Sequence, residues 1–467
     1  MIQTIRWENY NRIRELASPF LRGSKERPLR ITLHSASLKT PTGEAAEATD
    51  LIREFSHLDE LKVIETEPTS CPYIEIGNYD STLGYIPVQL INNGQIEMWT
   101  GISQGEQLSQ TAKILARQND IQHPDAKGML DALTIGLAHC LVGGDILVTT
   151  SKHLLGHRDD SLIATMNPRT PLETTQILGL FLRSRGNFVY KVVDNIRLPF
   201  NRHLFYWVLA RHKLPGMWRY FSACVHASKV HGDDLLMLGQ SILERAVRAL
   251  QARDAIGTVF YGGTGEQEEM MYHFDYLPLL LTGALDAQAR VANRTYKVAR
   301  NERTVSFYEL KRDKKFQQLL KAKGAVKLSE FIAQDRIQRL LCILYETRNV
   351  IHGAAMHPIS YRDGASEIST LVQLPAAIAD CVLESVQSLG GIQEWGLKEN
   401  GNARLQLVEP FSFATILVAR ILNTIDTIAQ VTEVERLLTA GQLDDMASAE
   451  PEKKSPFEWG KRLALLG

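Results

Sequence analysis

From Thr170 onward the apolar residues of this 467-residue chain recur every three and four positions, whereas before about residue 165 they recur in twos. This change of period constrains the fold most, because a period of two suits a half-buried strand and one of 3.6 suits the buried stripe of a helix. The first third must build a sheet, and the remainder must pack helix on helix. Leu29-Arg30-Ile31-Thr32-Leu33, Leu61-Lys62-Val63-Ile64-Glu65-Thr66, Tyr73-Ile74-Glu75-Ile76 and Gln95-Ile96-Glu97-Met98-Trp99 alternate between Gly, Asn and Pro punctuation, and each predicts a strand. A polar helix is expected over Glu8 to Phe20. Another, from Ala126 to Leu141, passes through Gly143-Gly144 into Asp145-Ile146-Leu147-Val148-Thr149, the αβ step of a partly parallel sheet.

The helical part opens at Thr170-Pro171-Leu172-Glu173, where an N-cap threonine, a proline at the first position and a glutamate at the third make a capping box. That helix is expected to run to Arg185 and stop at Gly186, with Arg183 and Arg185 placed favourably for the helix dipole. Two more follow, Arg202 to Tyr220 and Gly232 to Ala252; the aromatics Phe205, Tyr206, Trp207, Trp218, Tyr220 and Phe221 read as core or seam. The breaker Tyr261-Gly262-Gly263-Thr264-Gly265-Glu266 has no Gly-Lys-Ser/Thr and continues acidic, so it predicts a connector and not a phosphate loop. Beyond it, Tyr272 to Arg290, Leu328 to His352, Pro375 to Leu389 and Pro410 to Leu438 carry helical stripes that would close as a bundle. The expected class is α+β: a mixed α/β domain over 1–165, a helical middle domain over 166–260, an all-α bundle over 261–440, and a polar tail with a short helix over 441–467.

Composition excludes whole classes. A hydrophobic fraction of 44% and a charged fraction of 22% belong to neither a disordered nor a fibrous chain. Lys+Arg 52 against Asp+Glu 53 means that affinity for a polyanion must come from local segregation of charge. Charges in Met1 to Glu8 and no apolar run of roughly 18 residues predict a cytoplasmic protein without a membrane segment. Cys71, Cys140, Cys224, Cys342 and Cys381 are odd in number and scattered, which predicts reduced thiols and no zinc site. Thirteen histidines without a His-Glu-x-x-His pattern predict no bound metal or other cofactor.

One stretch carries the chemistry: Tyr345-Glu346-Thr347-Arg348-Asn349-Val350-Ile351-His352-Gly353. Arg348 and His352 are four apart and share a helix face, on the continuation of the stripe Ile337, Leu340, Leu341 and Leu344. A permanent cation beside a group that titrates near neutrality suits acid/base chemistry on a phosphodiester. The structural alternative pairs Arg348 with a carboxylate such as Asp286 and lets His352 cap carbonyls before Gly353. His357, followed by Pro358, is either a second histidine of the site or part of the loop beyond the helix.

The run His273-Phe274-Asp275-Tyr276-Leu277, then Leu285-Asp286-Ala287, then a helix ending Tyr345 to Gly353, resembles a HEPN domain over residues 267 to 440, of the kind at the C-terminus of phage-defence and toxin proteins. The family motif is an arginine, a polar residue and a histidine, which Arg348, Asn349 and His352 match in order, with three residues between Arg348 and His352 where the family has four to six. The resemblance implies a metal-independent endoribonuclease effector acting on RNA as a homodimer, and a defence-system protein as a further partner. In it Arg348 would hold the phosphate, His352 would move the proton and Asn349 would orient either. A non-enzymatic scaffold whose bundle mediates dimerisation or nucleic-acid docking is the competing reading.

Between the first two helices of that bundle lies the strongest charge segregation in the chain: Arg290, Arg294, Lys297, Arg300, Arg303, Lys311, Arg312, Lys314, Lys315, Lys321, Lys323 and Lys327, opposed by Glu302, Glu309 and Asp313. Tyr296, Phe307, Tyr308 and Phe316 are interleaved, so the segment either stacks bases while neutralising phosphates or is a solvated face anchored by its aromatics. Of these cations, Arg300, Arg303, Lys311, Arg312, Lys314 and Lys315 are the candidate nucleic-acid contacts. The N-terminal part, with Asp125 and Asp131 on a helix and then Gly144 to Leu155, is similar to the late helix and strand of PIN-like nucleases. Those hold a divalent metal with three or four carboxylates, and neither Leu29 to His34 nor Thr149-Thr150-Ser151 supplies one, which predicts a degenerate scaffold or sensor.

Overall fold

The computed structural model describes residues 3–5, 18–21, 26–68, 84–92, 95–103, 135–136, 139, 143–158, 161–164, 166–193, 196–262, 267–302, 305–309, 315–351, 353, 356–363, 367–398, 406–449 and 457–467. It is a mixed α+β fold in two compact units: 1–200 with 465–467, and 201–464. The division falls at Phe200–Asn201 and not near residue 260. The glycine-rich breaker links two long helices that pack along each other, so residues 201–260 of the expected middle domain belong with the C-terminal helices, while 166–200 belong to unit 1.

Unit 1 contains β1 (Gln3–Ile5), β2 (Leu29–His34), α1 (Glu44–Phe55), β3 (Leu61–Pro68), β4 (Gly84–Asn92), β5 (Gln95–Ser103), β6 (Ile146–Val148), α2 (Lys152–Gly156), α3 (Ser161–Ala164), β7 (Pro168–Arg169), α4 (Pro171–Ser184), β8 (Val189–Val193) and β9 (Ile196–Pro199). One sheet has the order β1-β5-β4-β3-β2-β6-β7, parallel across β3-β2-β6-β7 and antiparallel across β3-β4-β5, while β8 and β9 form a separate hairpin. Ile31, Leu33, Leu147 and Val148 are fully buried at its centre, as a strand covered on both faces requires. Arg27 makes a two-pronged ion pair with Asp145 (2.6 and 2.8 Å), and the same carboxylate accepts from Arg30 N, which ties the start of β2 to that of β6. Gly143 has φ +65°, and a Cβ on Gly144 would collide with the His139 ring, so this glycine pair serves both a turn and a close approach. The expected strand Tyr73–Ile76, residues 8–17 of the expected helix Glu8 to Phe20, Asp125, Asp131 and all but three residues of Ala126 to Leu141 lie outside the described residues, while 18–20 form a turn.

The capping box forms as its residues dictate: Thr170 Oγ1 accepts from Glu173 N at 3.2 Å, and Glu173 Oε2 accepts from Thr170 N at 2.8 Å. Burial pushes the Glu173 carboxyl up, but the bonds from Thr170, the Arg169 charge and the bond from Arg158 together carry it below its ordinary value. Arg183 and Arg185 do more than favour the dipole: Arg183 is buried and donates to Leu466 O, and Arg185 pairs with Glu26 at 2.8 Å and lies over the Phe181 ring.

Unit 2 contains α5 (Arg202–Lys213), α6 (Pro215–His231), α7 (Asp234–Gly262), α8 (Gln267–Tyr296), α9 (Lys315–Ala322), α10 (Val326–Ile332), α11 (Asp335–Ile351), β10 (His357–Asp363), β11 (Glu367–Leu374), α12 (Ala376–Ser388), β12 (Leu397–Lys398), β13 (Gln406–Val408), α13 (Pro410–Val431), α14 (Ala440–Ala449) and most of α15 (Phe457–Leu466). α13 packs against α6, α7 and α8, and α11 lies between α8 and α12. Phe205, Tyr206 and Tyr220 are core residues, as expected of the aromatic cluster. Buried polar groups close helix ends at a distance: Asp426 of α13 accepts from Gly216 N (2.7 Å) and Met217 N (3.2 Å) at the start of α6. Gln338 of α11 spends its whole amide on backbone, donating to Phe307 O and Ile332 O and accepting from Glu309 N.

Three expectations are corrected. The bundle is not all-α, because an antiparallel sheet of order β10-β11-β13-β12 lies within it; Pro358 and the shortness of β12 and β13 disguise these strands as loop. The helix expected from Leu328 to His352 breaks at Ala333–Gln334 into α10 and α11. Cys342 and Cys381 are joined in a disulfide, because α11 and α12 pack side by side. Cys224 is free and buried, its thiol pushed up to about 12 by burial, and Cys71 and Cys140 lie outside the described residues. Among the described helices α13 is long and apolar enough to cross a membrane by length and composition, but 56% of that stretch is buried within the fold, as in a core helix.

Candidate functional site

α11 carries the motif. Ile337, Leu340, Leu341 and Leu344 are buried, and Thr347 is too, its hydroxyl bonded back to Ile343 O at 2.7 Å. Two tyrosines frame the last turns: Tyr345 donates to Asp286 Oδ1 at 2.6 Å, Tyr308 donates to Glu346 Oε1 at 2.9 Å, and their rings stack with centroids 5.1 Å apart. Asp286 is therefore bonded to Tyr345, and the Arg348–Asp286 ion pair of the structural alternative does not form. Arg348 is half-buried, Asn349 is exposed, and Arg348 Nη1 donates to Asn349 Oδ1 at 3.1 Å. Among the described residues Arg348 has no carboxylate partner, whereas Arg339 on the same helix is held by both Asp335 and Glu384. His352 lies outside the described residues, one position beyond the end of α11, and Gly353 N donates to Val350 O at 2.8 Å. His357 is exposed and opens β10, paired with Gln373, so it belongs to the sheet and not to a loop.

The basic segment separates into an outside and an inside. Arg290, Lys297, Arg300, Lys315, Lys321, Lys323 and Lys327 are exposed. Arg294 is neutralised by Glu302 (2.6 Å) and Asp234 (3.0 Å), and its pKa is raised chiefly by the bond to Glu302. Tyr296, Phe307, Tyr308 and Phe316 are all at most 6% exposed, so these rings anchor the segment to the core and do not present faces to bases. Glu309 is buried and accepts from Phe316 N at 2.8 Å, capping α9. Arg303, Lys311, Arg312 and Lys314 lie outside the described residues.

The tyrosine clasp on Asp286 and Glu346 was not foreseen; only the proximity of two acids to two tyrosines in a folded bundle reveals it. No group of three or more His, Cys, Asp or Glu placed to hold a metal occurs among the described residues. In unit 1, Thr149 at the candidate nuclease-like turn is fully buried and bonded to His34. Comparison of the chain with protein-family models, curated proteins and solved structures returns no match.

Proposed function

We propose that the chain is an RNA-cleaving effector of the metal-independent kind, with Arg348, Asn349 and His352 at the end of α11 as the reacting group. The observation that carries this reading is the half-buried Arg348 guanidinium, without a carboxylate partner among the described residues and beside an exposed Asn349. A cation left uncompensated at the end of a buried stripe is suited to accept an anion from outside, and a phosphodiester oxygen fits its forked donors. His352, which follows Ile351 in sequence, would move the 2′-hydroxyl proton, and a second copy of the chain would supply a facing motif. The exposed cations Arg290, Lys297 and Arg300 would hold the flanking phosphates.

The test is incubation of the purified full chain with labelled RNA in EDTA. Cleavage should fall by about 10²- to 10⁴-fold in Arg348→Ala and in His352→Ala, both still folded. Cleavage that survives His352→Ala, or that EDTA abolishes, refutes the reading. RNA bound in a salt-sensitive way but never cut supports the non-enzymatic docking alternative.

A further inference from the structure

Arg245 of α7 is a half-buried arginine without a carboxylate partner among the described residues, as Arg348 is, whereas Arg294, Arg339 and Arg420 each hold one. Its Nε donates to Ser241 Oγ one turn back at 3.1 Å, which fixes the root of the guanidinium and leaves the terminal N–H groups for another acceptor. The guanidinium lies against Gly283 of α8, so closely that a Cβ there would overlap Nη1. With any other residue at 283 it would have to move.

Arg348 comes level with the same turn of α8. Asp234 pairs with Arg294 at 3.0 Å, and Arg245 lies against Gly283, eleven residues further along α7 and eleven back along α8, so these two helices are antiparallel. α11 is antiparallel to α8 as well. Phe307 and Glu309, which follow α8, are bonded to Gln338 near the start of α11, and β10, which follows α11, packs against α8. Tyr345 is bonded to Asp286, so Arg348, three residues on, is level with Gly283, three residues back, because both helices rise by about 1.5 Å per residue.

Gly283 stands in a row that the fold leaves uncovered. Tyr272, Tyr276, Leu279, Gly283, Asp286 and Arg290 recur every three or four residues, so they share one face of α8, and none of them is buried. Tyr272 is 65% exposed, and its ring stacks on that of Tyr276 with centroids 6.1 Å apart and planes 18° apart. From Gly283 to Tyr276 is about 10 Å along the helix, and to Tyr272 about 16 Å. Exposed aromatic rings in line with cations suit a strand whose bases are unpaired, whereas a duplex keeps its bases stacked inside. Asp286, the acid of the row, is bonded to Tyr345, and the exposed Glu268 and Glu269, one turn before Tyr272, bound the row against a polyanion at that end.

We propose that this face of α8 seats a single-stranded segment of RNA: Arg245 and Arg348 hold one phosphate over Gly283, and Tyr272, backed by Tyr276, stacks a base a short way along the strand. The proposal rests on the reading of Arg348 as the phosphate-holding cation. To that reading it adds the strandedness of the substrate and binding residues outside the motif, on α7 and α8.

Fluorescence anisotropy of the full chain with a labelled oligoadenylate bearing 2′-O-methyl riboses, which cannot attack their own phosphates, tests the proposal apart from cleavage. The single strand should bind saturably, and more weakly as salt rises, and the same strand paired to its complement should bind about tenfold more weakly. Tyr272→Ala should weaken binding about tenfold and Tyr272→Trp should keep it, with the melting temperature of the free protein unchanged by either. Arg245→Gln should also weaken binding about tenfold. So should Gly283→Ala, whose Cβ displaces the guanidinium while alanine suits a helix interior, so that its melting temperature does not fall. Absence of saturable single-strand binding overturns the proposal, as do equal binding of the duplex, binding unchanged by Tyr272→Ala, or binding unchanged by both Arg245→Gln and Gly283→Ala. Failure of the RNase reading shows differently: unmodified RNA stays uncut while the 2′-O-methyl strand binds as described. Failure of the α8 seat alone leaves His352-dependent cleavage whose KM is unmoved by Tyr272→Ala and Arg245→Gln.

Discussion

Acidification from pH 7.5 to 5.0 should remove about 4 kcal/mol from the stability of unit 1, through two histidines that are folded in as neutral rings. His139 is 1% exposed with Nδ1 2.9 Å from Thr32 Oγ1, and His34 is 5% exposed with Nδ1 2.9 Å from Thr149 Oγ1. Burial lowers His139 to about 3 and His34 to about 4, from an ordinary value of 6.5. A depressed folded pKa means that the unfolded chain binds the proton first. The stability is therefore fully present above 6.5 and is lost as pH falls, until it levels off near 4 for His34 and near 3 for His139. At pH 5.0 the unfolded rings are almost wholly protonated and the folded ones almost wholly neutral. About 1.5 pH units at about 1.36 kcal/mol each then cost about 2 kcal/mol per histidine. Hydrogen exchange of peptides spanning β2 and β6 reads this locally, since opening of that sheet should become about 10³-fold more frequent between the two pH values. His139→Gln keeps a polar partner for Thr32 and cannot titrate, so its pH dependence over the same range should be about half as steep. Equal slopes in the wild type and the variant, or an imidazolium signal from either ring at pH 6, would refute the reasoning.

Tyr345→Phe removes the bond to Asp286 and should cost about 1–2 kcal/mol in urea denaturation, leaving Asp286 half-buried without its donor. Peptide mapping without reductant should recover Cys342 linked to Cys381, and Cys381→Ser should lower stability by about 2–4 kcal/mol; recovery of both as free thiols from air-equilibrated protein would contradict the link.

What the sequence announced and what it concealed divide along the range of the interactions. The capping box at Thr170–Glu173 and the strands β2, β3, β5 and β6 depend on neighbours one to four residues away, and their period or spacing is written in the chain. The sheet β10-β11-β13-β12 depends on pairing across tens of residues, and Pro358 at the start of β10 argues locally against it. The Cys342–Cys381 link spans 39 residues and exists only because two helices meet. For the candidate site, the placement of Arg348 on the continuation of a buried stripe was legible. The occupation of Asp286 by Tyr345, which leaves Arg348 without that partner, was not. Likewise the interleaved aromatics of the basic segment have the same spacing whether they face bases or core, and only their burial decides.

Gln338 has a mechanical consequence. Its single amide grips the backbone at Phe307 and Glu309, within the basic segment, and at Ile332, at the end of α10. Arg348 lies ten residues further along the same helix, about 15 Å away at 1.5 Å per residue. The cationic strip and the guanidinium are therefore mounted on one rod, which the Cys342–Cys381 link and the Tyr345–Asp286 bond fix along the stretch between them. Their spacing is thus set by the rise of a helix and not by the conformation of a loop.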